Sequence, residues 1–157
     1  MLNFRIIPLG LGLIILILDQ ITKHYIITNF FYGESRPIID GFFNLVYVRN
    51  DGAAWNIFSG QRIFLIIISI SVLIFLLFKG QTIFSERRLH KILYGLIIGG
   101  ITGNLFDRLI YGWVIDFLDF QFGSYHYPSF NIADSAICIG VIFYFIDQWK
   151  NHKNKYK

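Results

Sequence analysis

Residues 63–78 (IFLIIISISVLIFLLF) run for sixteen positions without a charge, and no other feature limits the fold of this chain as much. Backbone N–H and C=O groups in hydrocarbon find no water, so a lipid-exposed segment must bond to itself as a helix or close into a barrel. A helix crosses a bilayer untilted with about 20 residues. The run reaches that length only if flanking Arg62 and Lys79 extend their charges to the interfaces, giving a span over about 62–79.

Three further stretches read the same way. Residues 6–18 are apolar and follow Arg5. A secretory leader has a similar centre, but no small-x-small cleavage pattern follows. Instead Asp19-Gln-Ile-Thr-Lys23 continues a helical pattern, and the expectation is an uncleaved span over about 5–27. A third span is expected over about 92–111 and a fourth over about 131–149. Composition agrees: 55% of the 157 residues are hydrophobic and 15% charged, against roughly 25% charged in a soluble domain. Mean hydropathy is +0.55. One membrane domain over 1–157 is expected, of all-α class, with four transmembrane helices.

Residues 37–58 differ. Pro37-Ile-Ile-Asp-Gly41 signals a turn, Phe42–Arg49 is rich in aromatic and β-branched residues, and Asn50-Asp-Gly52 is a second turn. A small β-sheet element on the membrane surface is expected here, with Phe42, Phe43 and Trp55 as interface anchors. Residues 112–128 read as a second polar loop.

Charge orients the chain. Arg5, the loop 79–91 with Lys79, Arg87, Arg88 and Lys91, and the tail lysines Lys150, Lys153, Lys155 and Lys157 lie on one side. The loop 112–130 has neither Lys nor Arg. The positive-inside rule puts both termini in the cytoplasm and the β element outside. The net charge of +4 suits an anionic membrane face better than a nucleic-acid groove, and no nucleic-acid partner is expected.

With that orientation the polar residues converge. Asp19 lies about 21 Å along helix 1 from Arg5. Asn104, Asp107 and Arg108 fall in the outer part of helix 3, Asn131 and Asp134 open helix 4, and Asn50 and Asp116 belong to outer loops. Two facing carboxylates, Asp116 and Asp134, are the minimal equipment of an aspartyl hydrolase, because such a pair holds one proton between them. The bland alternative makes Asp134 a helix N-terminal acid and Asp116 a solvated one. Asp107-Arg108 reads first as a structural ion pair, and Asp19 with Lys23 as an intrahelical one. Asp119 reads as a surface acid, Ser135 as helix packing and Cys138 as core. His24, His90, His126 and His152 share no ligand spacing, so neither metal nor cofactor is expected. A transporter with an acidic pore would need polar residues along the whole crossing, whereas here the acids gather at one end. An assembly factor whose acids serve folding alone stays open.

Five ordered segments resemble the lipoprotein signal peptidase (signal peptidase II) family: Asp19-Gln-Ile-Thr-Lys23, Asn50-Asp-Gly52-Ala-Ala54, Gly99 to Arg108, Val114-Ile-Asp116-Phe and Tyr127 to Ser135. Two positions depart from its pattern. Trp55 stands where Phe is usual, and Tyr127 where Trp is commoner. The resemblance implies a bacterial, multi-pass aspartic peptidase of the cytoplasmic membrane with its site near the outer face. It would remove the signal peptide of diacylglyceryl-modified prolipoproteins just before the lipidated Cys. The same resemblance makes Asp116 and Asp134 the catalytic dyad. Asp19, Lys23, Asn50, Gly52, Asn104, Asp107, Arg108, Asn131 and Ala133 match positions that support or line the site. Membrane lipid and globomycin-type inhibitors are its implied further partners.

Overall fold

The computed structural model describes residues 2–155, with side chains from Ile6 to Lys153; the Arg5, Lys155 and Lys157 side chains invoked for orientation lie outside the described residues. In chain order the elements are α1 (Leu2–Asn29), β1 (Ser35–Ile39), β2 (Phe43–Asn50), a 3-10 turn (Ala54–Asn56), α2 (Arg62–Ile83), α3 (Arg88–Ile110), β3 (Val114–Phe122), β4 (Tyr125–His126) and α4 (Ile132–Lys155). All four helices are long and apolar enough to cross a membrane. The β-strands form one antiparallel sheet in the order β1-β2-β3-β4.

Helix α3 is the centre of the bundle and packs against α1, α2 and α4. Glycines let it do so. A Cβ on Gly99 would stand 2.6 Å from the Gly12 carbonyl oxygen of α1, and one on Gly95 would stand 2.8 Å from that of Pro8. Gly100 faces the other way, against Ala133 and Ile137 of α4. Without hydrophobic drive between helices in lipid, such close backbone approach supplies the packing. Helix α2 leans on α3 mainly at its far end, where Leu76 and Phe84 join Leu93, Tyr94, Ile97 and Ile98 in one core cluster.

A second cluster seats the sheet on the end of α1: Ile26 and Phe30 pack against Tyr47, Ile115 and Phe117. Residues 114–122, read from sequence as polar loop, are a nine-residue strand. Their pattern has a period of two, which the acids obscure. Ile115 and Phe117 join the cluster at the end of α1, while Asp116 between them meets Asn50 and Asn131; the ladder register shifts beyond it, and Leu118 packs against the same cluster again. Pro37 sits in β1, an edge strand, where a missing N–H is tolerated.

Candidate active site

The first turn of α4 organises the site. Asn131 precedes the helix, and its Oδ1 accepts a hydrogen bond from the Asp134 backbone N–H at 2.9 Å. The Asn131 N–H donates in return to Asp134 Oδ2 at 3.2 Å. This is a reciprocal capping box, which satisfies donors that a helix start otherwise leaves orphaned. Asp134 is therefore the helix N-terminal acid of the bland reading. It is also more, because Asn131 has a second task. The Asn131 Nδ2 donates to Asp116 Oδ1 at 2.8 Å, so one buried residue holds both carboxylates, Asp116 through its side chain and Asp134 through its main-chain N–H.

Each acid has a further partner. Asn50 Nδ2 at the end of β2 donates to Asp116 Oδ2 at 2.9 Å. Asn104 Nδ2 of α3 donates to Asp134 Oδ1 at 2.7 Å. Asp116 and Asp134 both line one cavity of about 820 Å³, together with Asn104, Arg108, Trp55 and Tyr127. Burial pushes the Asp116 carboxyl up to about 7, and the charge of Asp134 adds to that; the Asn50 and Asn131 hydrogen bonds and Lys23 oppose it.

Beneath the two acids lies a buried ionic core. Lys23 Nζ sits 2.7 Å from Asp19 Oδ2 and 2.8 Å from Asp107 Oδ2, and all three side chains are essentially inaccessible. Lys23 also donates to Asn104 Oδ1 at 3.0 Å, which leaves the Asn104 amide N–H free for Asp134. The two carboxylates of this core do matching work. Asp19 Oδ1 accepts from the Ala133 N–H at 2.9 Å, one residue before Asp134. Asp107 Oδ2 accepts from the Ile115 N–H at 3.2 Å, one residue before Asp116. A single lysine thus fixes two carboxylates, each gripping the backbone beside one of the acids. Ala133 must be small, because it sits between Gly100 and Gly103.

Asp107 and Arg108, expected as an ion pair with each other, part company. They are neighbours on α3 and point apart: Asp107 turns inward to Lys23, and Arg108 Nη2 donates to the Gly52 carbonyl at 2.6 Å. Gly52 in turn donates its N–H to Asn50 Oδ1 at 3.0 Å, and a Cβ there would stand 2.8 Å from the Ile57 carbonyl oxygen. The two acids and the residues matched to site-supporting positions thus belong to one connected network.

Three expectations need correction. Asp119 is buried, 5% exposed, because Asn44 Nδ2 donates to it at 2.8 Å across the β2–β3 ladder and His126 meets it at 3.0 Å. Cys138 is exposed, not core; it lies four residues after Asp134 and lines the same cavity. Arg62 does not extend outward. It donates to the Arg108 and Leu109 carbonyls at 2.8 and 3.1 Å, capping the end of α3. Sequence reading also passed over Gln20, which donates to Asp107 Oδ1 at 2.8 Å. Its spacing of three from Lys23 is the signal, since residues so spaced share a helix face.

The chain matches the family Signal peptidase (SPase) II over residues 11–150. It is 43% identical over 136 residues to a lipoprotein signal peptidase of Bacillus pumilus, covering 87% of this chain and 88% of that one. It is 45% identical over 144 residues to one from Ralstonia nicotianae, covering 89% and 82%. Among solved structures, a bacterial membrane enzyme determined by the in meso method at 2.3 Å resolution superposes with a TM-score of 0.88 at 38% identity, covering 94% of this chain and 90% of that one. The network around Asp116 and Asp134 spans α1, α3, α4 and the sheet, and the family match runs through every one of those elements: the chain belongs to the signal peptidase II family and is a membrane protease.

Proposed function

We propose that this protein is an aspartic endopeptidase that removes the signal peptide from diacylglyceryl-modified prolipoproteins, cleaving just before the lipidated Cys. Asp116 and Asp134 are its dyad. The observation that carries the reading is Asn131, whose side-chain amide donates to the Asp116 carboxylate and whose main-chain N–H donates to that of Asp134, beside a cavity both acids line.

The chemistry follows from one proton shared by the buried Asp116 and the half-buried Asp134. The ionised acid takes a proton from water as the water oxygen attacks the scissile carbonyl carbon. The protonated acid donates to the carbonyl oxygen, giving a neutral tetrahedral diol. Collapse breaks the C–N bond, returns the carbonyl, and delivers a proton to the departing amine. No covalent intermediate forms. Asn50, Asn104 and Asn131 hold the carboxylate oxygens at fixed positions, so the geometry costs no reorganisation during the reaction. Asp19, Lys23 and Asp107 act one step further out, through the backbone of Ala133 and Ile115. Gly52 and Arg108 fix the segment that bears Trp55 against the cavity. The mostly apolar cavity suits a lipid-bearing peptide, and globomycin-type peptides would occupy the same space.

The protein lies in the bacterial cytoplasmic membrane with both termini inside and the site near the outer face. The basic loop 79–91 and the lysine tail support this orientation.

The test is cleavage of a diacylated prolipoprotein by the purified protein with EDTA present, beside Asp116→Asn and Asp134→Asn. Wild type should cut before the lipidated Cys, and both variants should lose at least about a thousandfold in rate while remaining folded. An active, well-folded Asp134→Asn enzyme would sink the dyad.

A further inference from the structure

On the far side of β2 from the dyad stands an arginine that the peptidase chemistry does not use. Consecutive strand residues point to opposite faces. Asn50 faces Asp116, so Arg49 faces away, and it pairs across the ladder with Ile115, whose side chain packs toward α1. Its guanidinium carbon lies 4.7 Å from the ring centre of Tyr32, 4.7 Å from Trp113 and 5.5 Å from Tyr47. Three rings thus surround the cation at cation–π distance, while the residue is exposed and its terminal Nη donors have no hydrogen-bond partner among the described residues.

The other arginines at this end of the molecule spend those donors within the protein. Arg36 binds Glu34 and the Asn29 carbonyl. Arg62 binds the Arg108 and Leu109 carbonyls, and Arg108 binds those of Gly52 and Asn104. Arg49 makes one hydrogen bond, from Nε to the Tyr47 hydroxyl at 3.3 Å, and no ion pair among the described residues. The nearby acids are engaged elsewhere: Glu34 with Arg36 and the Phe31 N–H, Asp51 with Ser59 and the Gly60 N–H. The exposed neighbours are aromatic, with Phe31, Tyr32 and Tyr25 standing at the end of the spanning helix α1, where a bilayer changes from hydrocarbon to headgroup.

We propose that Arg49, held among Tyr32, Tyr47 and Trp113, is a binding site for the phosphate of an anionic phospholipid in the leaflet that borders the sheet. A planar guanidinium presents two parallel N–H donors to a phosphate, and at this depth of a membrane the available oxyanion is a lipid headgroup. Arg49 also borders the dyad cavity, but its guanidinium lies among Tyr32, Tyr47 and Trp113, and a diacylglyceryl-modified substrate carries no lipid phosphate, so the ligand is not the substrate. It anchors β2, whose next residue is Asn50, against the membrane.

The test titrates the full chain in detergent with phosphatidylglycerol, read by native mass spectrometry, beside Arg49→Gln, Arg49→Lys and Arg36→Gln. Wild type should retain one tightly held phosphatidylglycerol, and should not retain dioleoylglycerol, which has the same kind of tails and no phosphate. Arg49→Gln should bind that lipid about tenfold more weakly, and Arg49→Lys should fall between, since it keeps charge and loses the fork. Arg36→Gln should bind as wild type does. Undiminished binding by Arg49→Gln would overturn the site. Equal losses in Arg36→Gln would reduce it to general charge. Displacement of the lipid by millimolar inorganic phosphate would make it a free-anion site instead.

Discussion

The side chain of Lys23 joins the folding problem to the chemical one. It is buried to the same degree as the two carboxylates it touches, and removing one member of such a cluster leaves uncompensated charge, at a cost of about 3–5 kcal/mol. Lys23→Met should therefore lower the unfolding midpoint sharply in a detergent melt as well as abolish cleavage. Asp19→Asn and Asp107→Asn act at different places, the first on the backbone before Asp134 and the second on the backbone before Asp116. Each should reduce kcat more than KM, which single-turnover cleavage measures. Gly103→Ala places a methyl 2.6 Å from Asp19 Oδ2 and should mimic loss of that carboxylate. The Asp116 carboxyl, pushed up to about 7, gives a pH signature. Its folded pKa lies above the unfolded value of 3.8, so the native state holds the proton more tightly. The stability this contributes is complete below the unfolded value and is lost as pH rises through about 7. Melting curves between pH 4 and 8 should show that decline in wild type, and a flatter profile in Asp116→Asn. Cleavage should fall on the alkaline side as the shared proton leaves, seen as a declining limb in kcat/KM.

Among the elements, the helices were the most legible. Apolar length alone announces them, since lipid leaves the backbone no other partner. The glycines of α3 were half legible. Gly99 and Gly103 stand four apart, a spacing that lets helices approach closely, but only the packed structure assigns Gly99 to α1 and Gly100 to α4. Gly99→Leu should separate α1 from α3 and with them Asp19 from its partners; a melt and a cleavage assay should fail together. The strand β3 was missed, for a physical reason. Asp116 and Asp119 break the apolar runs by which strands are recognised, yet both are buried because Asn50, Asn131, Asn44 and His126 receive them. Sequence shows an acid but not the amide that makes its burial tolerable. The same ignorance of partners hid the capping task of Arg62 and paired Asp107 with its neighbour Arg108. The membership of the network, from Asp19 to Asp134, is legible through the family resemblance of five ordered segments, which α1, α3, α4 and the sheet bring to one end.

At the scale of the whole molecule, α3 is a post shared by three helices, and α2 attaches to it chiefly at the end away from the sheet. The cavity lies between the first turns of α4 and the segment that carries Trp55. A cysteine at Ser124, in a Cys138→Ala background, should react with an impermeant thiol reagent added to the outside of intact cells. Labelling that requires permeabilisation would invert the orientation. The double service of Asn131, as cap of a membrane helix and as clamp on both acids, has a consequence for any compound that fills the cavity. Resistance cannot arise cheaply at the polar wall, because each change there also uncaps α4 or strands a buried charge. Selected escape variants should instead cluster at Trp55, Tyr127 and Cys138, the part of the lining that the fold leaves free to vary.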